Sequence, residues 1–442
     1  MTARHQLLEH PDGVRECWQG SGSLVTTWGS AIVIFGSIAL DIQQPGLGFK
    51  LGNVIFMLAC ISVIALRCLF PPRTASEVSA PSEYDLLIAL GLLWGAYSIV
   101  HSGSREDALV HTFFAATLWF TVLCVKSGRL GVTLRLIFWC AAAVSALCII
   151  TGQLGLSWAF QPNSSTGYPE LRGILEHQLK LGMLTGAAVV IVFVALANGE
   201  LNRLRGRCPP LVFGAGVLAV LVALYESFAR SPTGALVLTL ACCGSFAPRR
   251  LVRYASLAVV VAGVAIYWLY ADQVLAMIFT TESDLTFSGR IKIWEGTLEH
   301  AALNPWIGYG TASFGTPQFD FLWVNYRPPS AHNSFLQAYF ETGYVGLALT
   351  VGLVAALIVR GIYTSLRWRR LSYTLFIALY GLFCSVMSVV FAGKPSVLFT
   401  LILLVAAQEA HALTQSRAAF GATRNDRRFL RAGAAGPVAG TQ

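Results

Sequence analysis

The sequence predicts an all-α integral membrane protein with about 12 transmembrane helices and one long outer loop that carries an amphipathic helix. Of its 442 residues, 55% are hydrophobic and only 12% are charged, and the mean hydropathy is +0.63. Soluble proteins carry roughly 25% charged residues, so this chain lacks the polar surface that water requires. Runs of roughly 20 apolar residues can cross the hydrocarbon core of a bilayer. The predicted spans are 23–40, 52–70, 84–101, 108–125, 132–155, 178–198, 209–228, 232–247, 252–272, 333–359, 371–392 and 395–413.

The distribution of basic residues predicts how the chain is oriented in the membrane. The formal net charge is +9, and the chain has 31 Lys and Arg residues. If the N-terminus lies in the cytoplasm, 22 of these 31 residues fall on the cytoplasmic side, as the positive-inside rule requires. Both termini are therefore predicted to be cytoplasmic. The bilayer explains the positive charge, so no nucleic-acid partner is expected.

The predicted spans divide the chain into five segments. They are a cytoplasmic N-terminal segment at 1–22, transmembrane helices one to nine at 23–272, a long outer loop at 273–332, transmembrane helices ten to twelve at 333–413 and a basic cytoplasmic tail at 414–442. The first segment lacks an apolar run with a cleavage site, so we expect no cleaved signal peptide. The tail is rich in Ala, Gly and Arg, which predicts disorder and attraction to anionic headgroups.

The outer loop at 273–332 is predicted to be ordered. Loops of this length in a compact bundle are usually functional or disordered, and this one is rich in aromatic residues. Ser288 can cap a helix that runs to Asn304 and is stopped by Pro305. One face of this helix is apolar and the other polar, with Ile291, Trp294, Leu298, Ala301 and Ala302 opposed to Lys292, Glu299 and His300. The pattern predicts an amphipathic helix along the membrane surface or over the mouth of the bundle.

His332 is the candidate catalytic residue. It directly precedes Asn333 and Ser334, either of which can cap the tenth predicted span. The positive end of a helix disfavours the imidazolium form, so His332 should be neutral near pH 7. A neutral imidazole can accept a proton from a hydroxyl group. The alternative is that His332 only fixes the junction between the loop and the helix.

Three polar residues are predicted to share one face of the tenth span. Asn333, Gln337 and Glu341 recur every four residues, which places them along one side of a helix. A carboxyl group inside a membrane helix costs roughly 2.5–3.5 kcal/mol, so Glu341 should face a polar cavity or a partner. Together they predict a wet substrate pocket beneath the outer loop. For Glu341 the alternative is a structural hydrogen bond to another helix.

Several basic residues on the outer side are candidates for binding an anion. Arg230 ends the seventh span, and Arg290 opens the amphipathic helix. Guanidinium groups bind phosphate oxygens through two hydrogen bonds and stay charged, which suits a pyrophosphate. A weaker set lies before the sixth span and consists of Arg172, His177 and Lys180. The alternative for the arginines is snorkelling to the interface, and simple interfacial anchoring is the favoured interpretation of Lys394.

No pattern for a nucleotide, a metal or another cofactor is present. The sequence has no Walker loop, no Gly-rich dinucleotide fingerprint, no GxSxG and no HExxH, which leaves ATP-driven transport unsupported. Glu282-Ser-Asp284 resembles an acidic metal-binding motif only loosely, and an exposed acidic turn is the simpler interpretation. The ten cysteines show neither the spacing of zinc ligands nor that of a disulfide framework.

Several short motifs follow one another in a defined order between about residues 170 and 350. They are Arg230-Ser, Gly289-Arg290-x-x-x-Trp294, Asn304-Pro305-x-x-Gly308-x-Gly310 and Ala331-His332-Asn333-Ser334-x-Leu336, with Gly343 and Gly346 beyond and the looser Gly173-x-x-x-His177-x-x-x-x-Gly182 upstream. In this order, and with the long outer loop before the histidine, the chain resembles the O-antigen ligase and polysaccharide polymerase superfamily of bacterial envelope glycosyltransferases.

The resemblance implies a GT-C-like glycosyltransferase of the bacterial inner membrane. Such an enzyme takes a saccharide from undecaprenyl pyrophosphate and gives it to an acceptor hydroxyl at the periplasmic face. By the same resemblance, Arg230 and Arg290 would hold the pyrophosphate and His332 would activate or orient the acceptor. Similar enzymes invert the anomeric centre and need no metal, because arginine can neutralise so good a leaving group.

Two questions about function stay open from the sequence. The acceptor is either lipid A–core, as in an O-antigen ligase of lipopolysaccharide synthesis, or a second lipid-linked repeat, as in an O-antigen or exopolysaccharide polymerase. A secondary transporter or lipid-linked saccharide flippase is the alternative from another class, since carriers also often have 12 helices. A carrier should show internal repeats and ionisable residues in paired, broken helices near the midplane, whereas the candidates here cluster at the outer rim.

Overall fold

The computed structural model describes most of the predicted bundle. The described residues are 24–42, 51–71, 82–162, 169–247, 249–250, 252–254, 256–258, 261, 290–314, 316, 319 and 328–433. Three predictions fall wholly or mostly outside the described residues: the N-terminal segment at 1–22, the ninth span at 252–272, and residues 273–289 with the expected cap Ser288 and the acidic turn Glu282-Ser-Asp284.

The described part of the chain is mostly helical, as predicted. Its helices are α1 (Leu24–Ala39), α2 (Leu51–Leu69), α3 (Glu83–Ser98), α4 (Arg105–Val125), α5 (Leu130–Gln153), α6 (Gln178–Asn198), α7 (Leu201–Arg205), α8 (Pro210–Glu226), α9 (Arg230–Phe246), α10 (Arg290–Ala301), α11 (Ser334–Trp368), α12 (Tyr373–Ser385) and α13 (Val397–Gly433). Each predicted span except 252–272 coincides with one of these helices. Among the described residues, 7 helices are long and apolar enough to cross a membrane. The chain is therefore a multi-pass α-helical membrane protein.

Helices α6, α12 and α13 form the interior of the bundle. Most of α6 and of the apolar part of α13 is buried, whereas most of α2 and α3 is not. α6 contacts α5, α8, α9 and α12, and α13 contacts α1, α4, α5 and α12. Large apolar side chains such as Trp28, Phe35 and Leu93 are exposed on the outer helices. So much exposed apolar surface fits lipid as the surrounding solvent.

The connection between α5 and α6 departs from the all-α prediction. Strands β1 (Phe160–Pro162) and β2 (Pro169–Leu171) pair antiparallel in this segment. An isolated bridge between Ile42 and Leu175 then joins the segment to the end of α1. The short hairpin thereby holds the N-terminus of α6 beside the C-terminal end of α1.

Helix α11 is broken at Gly343, and the segment at 305–310 fills the break. Gly343 has φ 65° and ψ −165°, a conformation that is essentially restricted to glycine. Three backbone hydrogen bonds satisfy groups that the break leaves open, from Tyr309 N–H to Phe340 O (3.0 Å), from Gly310 N–H to Glu341 O (2.8 Å) and from Tyr344 N–H to Pro305 O (2.7 Å). The motif Asn304-Pro305-x-x-Gly308-x-Gly310 therefore stabilises a bent helix below the candidate histidine.

The amphipathic helix is present as α10, but the predicted apolar face is partly wrong. The buried residues are Ile293, Thr297 and Ala301, whereas Leu298 is 48% exposed and Ala302 is also exposed. The reason is that α10 packs against α11 and a small aromatic cluster rather than lying flat on a lipid surface. Thr297 is tolerated on the buried face because its hydroxyl donates to the Ile293 carbonyl at 2.6 Å.

The tail at 414–442, for which the sequence predicts disorder, is described as far as Gly433. Helix α13 continues to Gly433 without interruption. The physical reason is that Ala and Arg, which dominate this segment, are among the best helix formers. The last residues, 434–442, lie outside the described part.

Candidate active site

The candidate site forms where the N-termini of α6 and α11 meet α10. Asn333 caps α11, because its Oδ1 accepts from the N–H groups of Phe335 and Leu336 at 2.9 and 3.1 Å. His177 caps α6 in the same way, with Nδ1 accepting from Leu179 N–H at 3.1 Å. The sequence predicted the cap on α11, whereas the capping role of His177 was not foreseen. Each helix therefore starts next to a histidine.

The backbone of His332 is held in an unusual conformation. Its φ is 50°, in the left-handed region, which costs of order 1–3 kcal/mol for a residue with a side chain. The preceding residue is fixed on both sides: Ala331 N–H donates to Gln337 Oε1 at 2.7 Å, and Ala331 O accepts from Trp294 Nε1 at 2.9 Å. These two hydrogen bonds link the histidine segment to both α10 and α11. Strain supported in this way is typical of functional sites.

His332, His177 and Arg290 lie close enough to influence one another. Burial, together with the nearby Arg290 and His177, lowers the pKa of His332 to about 4. Burial also lowers the pKa of His177 to about 4, with Lys180, Arg172 and Arg290 adding to the effect. Both rings are therefore neutral at pH 7. The sequence predicted a neutral His332 from the helix dipole, but burial is the larger cause.

Arg290 is the cation shared by the two histidines. It is half-buried at the start of α10, and burial lowers the pKa of its guanidinium. An arginine stays protonated at neutral pH even so. The site therefore combines the permanent positive charge of Arg290 with two neutral imidazoles. This composition suits an anionic substrate that binds together with a proton-donating hydroxyl group.

Arg172, His177 and Lys180 lie near one another, and each makes a contact that holds the local structure. Lys180 Nζ pairs with Asp41 Oδ1 at 3.0 Å, and Arg172 Nε donates to Trp158 O at 3.0 Å. His177 Nδ1 accepts from the backbone, and its Nε2 lies 3.3 Å from the side-chain nitrogen of Gln161. Sequence reasoning missed Asp41, since an acid at the end of a span carries no signal of its distant partner.

Arg230 is not equivalent to Arg290. It is exposed at the first position of α9. The preceding residue, Ala229, packs against the first turn of α6, where a Cβ added to Gly182 would meet Ala229 Cβ at 2.6 Å. Arg230 therefore lies near the end of α6 that carries His177. The positive charges that lower the pKa values of the histidines come instead from Lys180 in α6, Arg290 in α10 and Arg172 after strand β2.

A polar cavity of about 550 Å³ opens beside the His332 segment. Gln337 and Glu341 line it, and Gln337 Nε2 donates to Glu341 Oε1 at 2.7 Å. Asn333, predicted to share this face, is turned to its cap and donates to Val386 O at 3.2 Å. Lys394 lines the cavity rather than serving only as an interfacial anchor, and so do Lys180, Asp107 and His111, of which the last two were missed by the sequence analysis.

An apolar groove of about 170 Å³ continues from this cavity between α3, α4 and α11. Leu87, Gly91, Leu349 and Leu353 contribute to its walls. His111, Glu341 and Lys394 line both spaces. The two spaces together offer a polar compartment joined to an apolar one, which is the shape that an amphipathic lipid requires.

The fold and the site define a multi-pass membrane protein with a basic, histidine-containing site at one end of its bundle. Residues 215–351 match a family model described as O-antigen ligase. The chain is also 28% identical over 254 residues to the exopolysaccharide production protein ExoQ of Rhizobium meliloti (strain 1021). This similarity covers 53% of the chain and 56% of that relative, so it spans about half the length of each. Both findings confirm the predicted resemblance to the O-antigen ligase and polysaccharide polymerase superfamily.

The family match covers only part of the candidate site. It includes Arg230, Arg290, His332, Gln337 and Glu341. The hairpin set with His177 lies before the matched residues, and Lys394 lies after them. Contributions from those flanking positions therefore rest on the geometry of this chain alone.

Proposed function

We propose that the chain transfers a saccharide from an undecaprenyl-pyrophosphate-linked donor to an acceptor hydroxyl at the periplasmic face of the inner membrane. The family match and the similarity to an exopolysaccharide production protein support this class of reaction. The observation that carries the proposal is the grouping of a half-buried, neutral His332 with the cationic Arg290 next to a polar cavity.

In the proposed reaction His332 acts as the general base. Its neutral ring accepts the proton of the acceptor hydroxyl as the oxygen attacks the anomeric carbon of the donor. The bond from that carbon to the diphosphate oxygen breaks, and the electron pair leaves with the diphosphate. A single displacement of this kind inverts the anomeric centre.

Arg290 is proposed to bind the departing diphosphate. Its guanidinium can donate two parallel hydrogen bonds to phosphate oxygens and neutralise the charge that develops on them. The bound anion would also raise the pKa of His332 toward its ordinary value, because a negative charge favours the imidazolium. The base would thus become stronger only when the donor is in place.

The remaining basic residues are proposed to extend this binding surface. Arg230, exposed at the start of α9, would meet the donor from the membrane side. Arg172 and Lys180 would approach it from the hairpin and α6, while His177 would offer its Nε2–H as a neutral donor. Gln337 and Glu341 would shape the polar pocket. The proposal places these groups in the periplasm, with both termini in the cytoplasm, as the positive-inside rule predicts.

A reconstituted transfer assay tests the function. Purified protein is incubated with an undecaprenyl-pyrophosphate oligosaccharide, with and without lipid A–core, and the products are separated on a gel. A ladder without lipid A–core is the result expected of a polymerase, and a single shift that requires it is expected of a ligase. A carrier would form no new glycosidic bond, so the absence of any product with either acceptor would contradict the proposal.

The same assay tests whether the reaction is independent of metal. Because an arginine is proposed to neutralise the leaving group, activity should persist in an excess of chelator. Loss of product that magnesium or manganese restores would contradict the metal-free mechanism.

A further inference from the structure

We propose that the chain has a second lipid-phosphate site, in which the groove between α3, α4 and α11 takes one prenyl chain and Lys394 binds the phosphate attached to it. The occupant is the acceptor, a second prenyl-phosphate-linked saccharide. This inference rests on the proposed function and selects the polymerase form of it.

The groove has the size and the composition to hold one hydrocarbon chain. Its walls are mainly apolar, with Leu87, Leu349 and Leu353 among them, and its volume is about 170 Å³. A cavity of about 150 Å³ holds one benzene-sized apolar molecule, so the groove has room for a segment of a single hydrocarbon chain. Lipid A, with several acyl chains side by side, does not fit such a space.

Lys394 lies where the apolar groove meets the polar cavity. This half-buried residue lines both the apolar groove and the polar cavity. Asn53 Oδ1 accepts a hydrogen bond from its ammonium group, which also lies 5.3 Å from the centre of the Phe114 ring. These contacts hold a positive charge at the point where the apolar space ends. The phosphate of a prenyl phosphate occupies the same boundary between its chain and its sugar, so the charges are complementary.

Lys394 lies apart from the site formed by Arg290, His177 and His332. Among the described residues, neither Arg290 nor either site histidine belongs to the lining of the cavity or the groove. Ser330 lines the cavity, and its Oγ accepts from His332 N–H at 3.3 Å. The segment that carries His332 therefore stands between two cations. A donor diphosphate on Arg290 and an acceptor phosphate on Lys394 would bring their saccharides to His332 from two sides.

The test counts the lipids bound by the purified full-length protein. Undecaprenyl phosphate is the probe, and native mass spectrometry reports how many copies bind. Wild type should bind two. Lys394→Gln removes the charge, and Gly91→Leu fills the groove, where a side chain on Gly91 meets no atom within 4 Å. Each should weaken the second binding event by about ten-fold or more.

Matched variants control for charge and for bulk. Lys292→Gln removes an exposed cation from α10, and Gly214→Leu adds the same bulk at a helical glycine that also has open space. Both controls should bind two lipids as wild type does. Two lipids bound with unchanged affinity in Lys394→Gln and Gly91→Leu, or equal displacement of the second lipid by phosphatidylglycerol, would overturn the proposed site.

Product analysis separates failure of this site from failure of the proposed function. If wild type and both site variants form product at equal rates, the second site is wrong and the transferase function stands. If the second lipid is lost as expected but no protein forms product with any acceptor, the site stands and the proposed function is wrong. Product that forms only with lipid A–core would overturn the acceptor named here.

Discussion

The chemistry proposed for this protein depends most on the surroundings of one imidazole. His332 sits at a backbone conformation that its side chain disfavours, behind an alanine whose N–H and carbonyl are both engaged. Burial, Arg290 and His177 all act in the same direction and keep the ring neutral. A neutral ring next to a fixed positive charge is ready to accept a proton once an anion arrives.

The lowered pKa of His332 predicts the pH dependence of the reaction. The pKa of about 4 means that the free protein keeps this base unprotonated well below neutrality. The value of kcat/KM should therefore stay constant from pH 7 to about 5.5 and fall as the pH approaches 4, because kcat/KM reports the free enzyme. A fall centred near 6.5, the ordinary pKa of histidine, would show that His332 is not buried as described or is not the base.

Trp294 is predicted to act as a positioning residue. In Trp294→Phe the ring is retained but the hydrogen bond to Ala331 O is lost, so α10 no longer fixes the histidine segment. One lost hydrogen bond corresponds to about a ten-fold lower kcat. The acid limb of the pH profile should also move upward, because Arg290 would act less strongly on His332.

Trp306→Phe is the matched control for this variant. Trp306 is 68% exposed and packs against Tyr344 rather than against the histidine segment. Its replacement should leave both kcat and the pH profile unchanged. An equal loss in the two variants, with no shift of the profile, would reduce Trp294 to a purely structural role.

For individual residues of the site, the sequence predicted contacts between neighbours in the chain and missed contacts between distant residues. The cap by Asn333 follows from neighbours in the chain and was predicted. A neutral His332 was predicted from the helix dipole, but its larger cause is burial, which the sequence does not show. The ion pair of Lys180 with Asp41 and the contact of Lys394 with Asn53 join residues more than a hundred positions apart. Local patterns contain no information about such partners.

Among the elements, the bend in α11 does most to shape the site. The segment at 305–310 occupies the break at Gly343, and the same part of α11 carries Gln337 and Glu341 to the cavity. A Cβ on Gly343 would lie 2.3 Å from the carbonyl oxygen of Trp306. The break and the inserted segment are therefore possible only with glycine.

Gly343→Ala is predicted to destabilise the protein. The substitution forces a side chain into a conformation that costs of order 1–3 kcal/mol, with the clash in addition. The unfolding temperature in detergent should fall, and the yield of folded protein should drop with it. Gly352→Ala in the same helix meets no atom closer than 3.5 Å and should melt at or above the wild-type temperature. Equal melting of both variants would contradict the described bend.

The elements also show where sequence patterns succeed. Apolar runs located the 7 described helices that are long and apolar enough to cross a membrane, because lipid imposes the same requirement on each helix. The face of α10 was harder to predict, since Thr297 is buried and Leu298 exposed by contact with α11.

For the whole molecule, the positive-inside rule predicts the orientation of the site. Alkaline phosphatase fused after Gly155 or after Ala302 should be active, because both points are predicted to be periplasmic. Fusions after Gly206 or Arg369 should be inactive, since these points lie on the predicted cytoplasmic side. The reverse pattern would place the histidine site in the cytoplasm, away from the proposed acceptors.

The superfamily relation and the architecture could be predicted from the order of motifs, while the cavity and its lipid groove could not. The motifs contain residues that a particular backbone conformation requires, such as Gly343 in the bent α11. Such residues can be recognised from the sequence because the requirement is local. A groove between α3, α4 and α11 arises only when helices far apart in the chain are packed together. The acceptor proposed here therefore depends on the structure rather than on the motifs.

The proposed roles of His332 and Arg290 are tested most directly by the rate at which purified variants consume the lipid-linked donor. His332→Ala and Arg290→Ala should each lower the rate by roughly 10²–10⁴-fold, because one removes the base and the other the charge that stabilises the leaving group. Both should keep wild-type expression and melting behaviour, and Lys292→Ala, which removes an exposed cation from the same helix, should react at the wild-type rate. Near wild-type turnover by a folded His332→Ala or Arg290→Ala protein would contradict the role assigned to that residue.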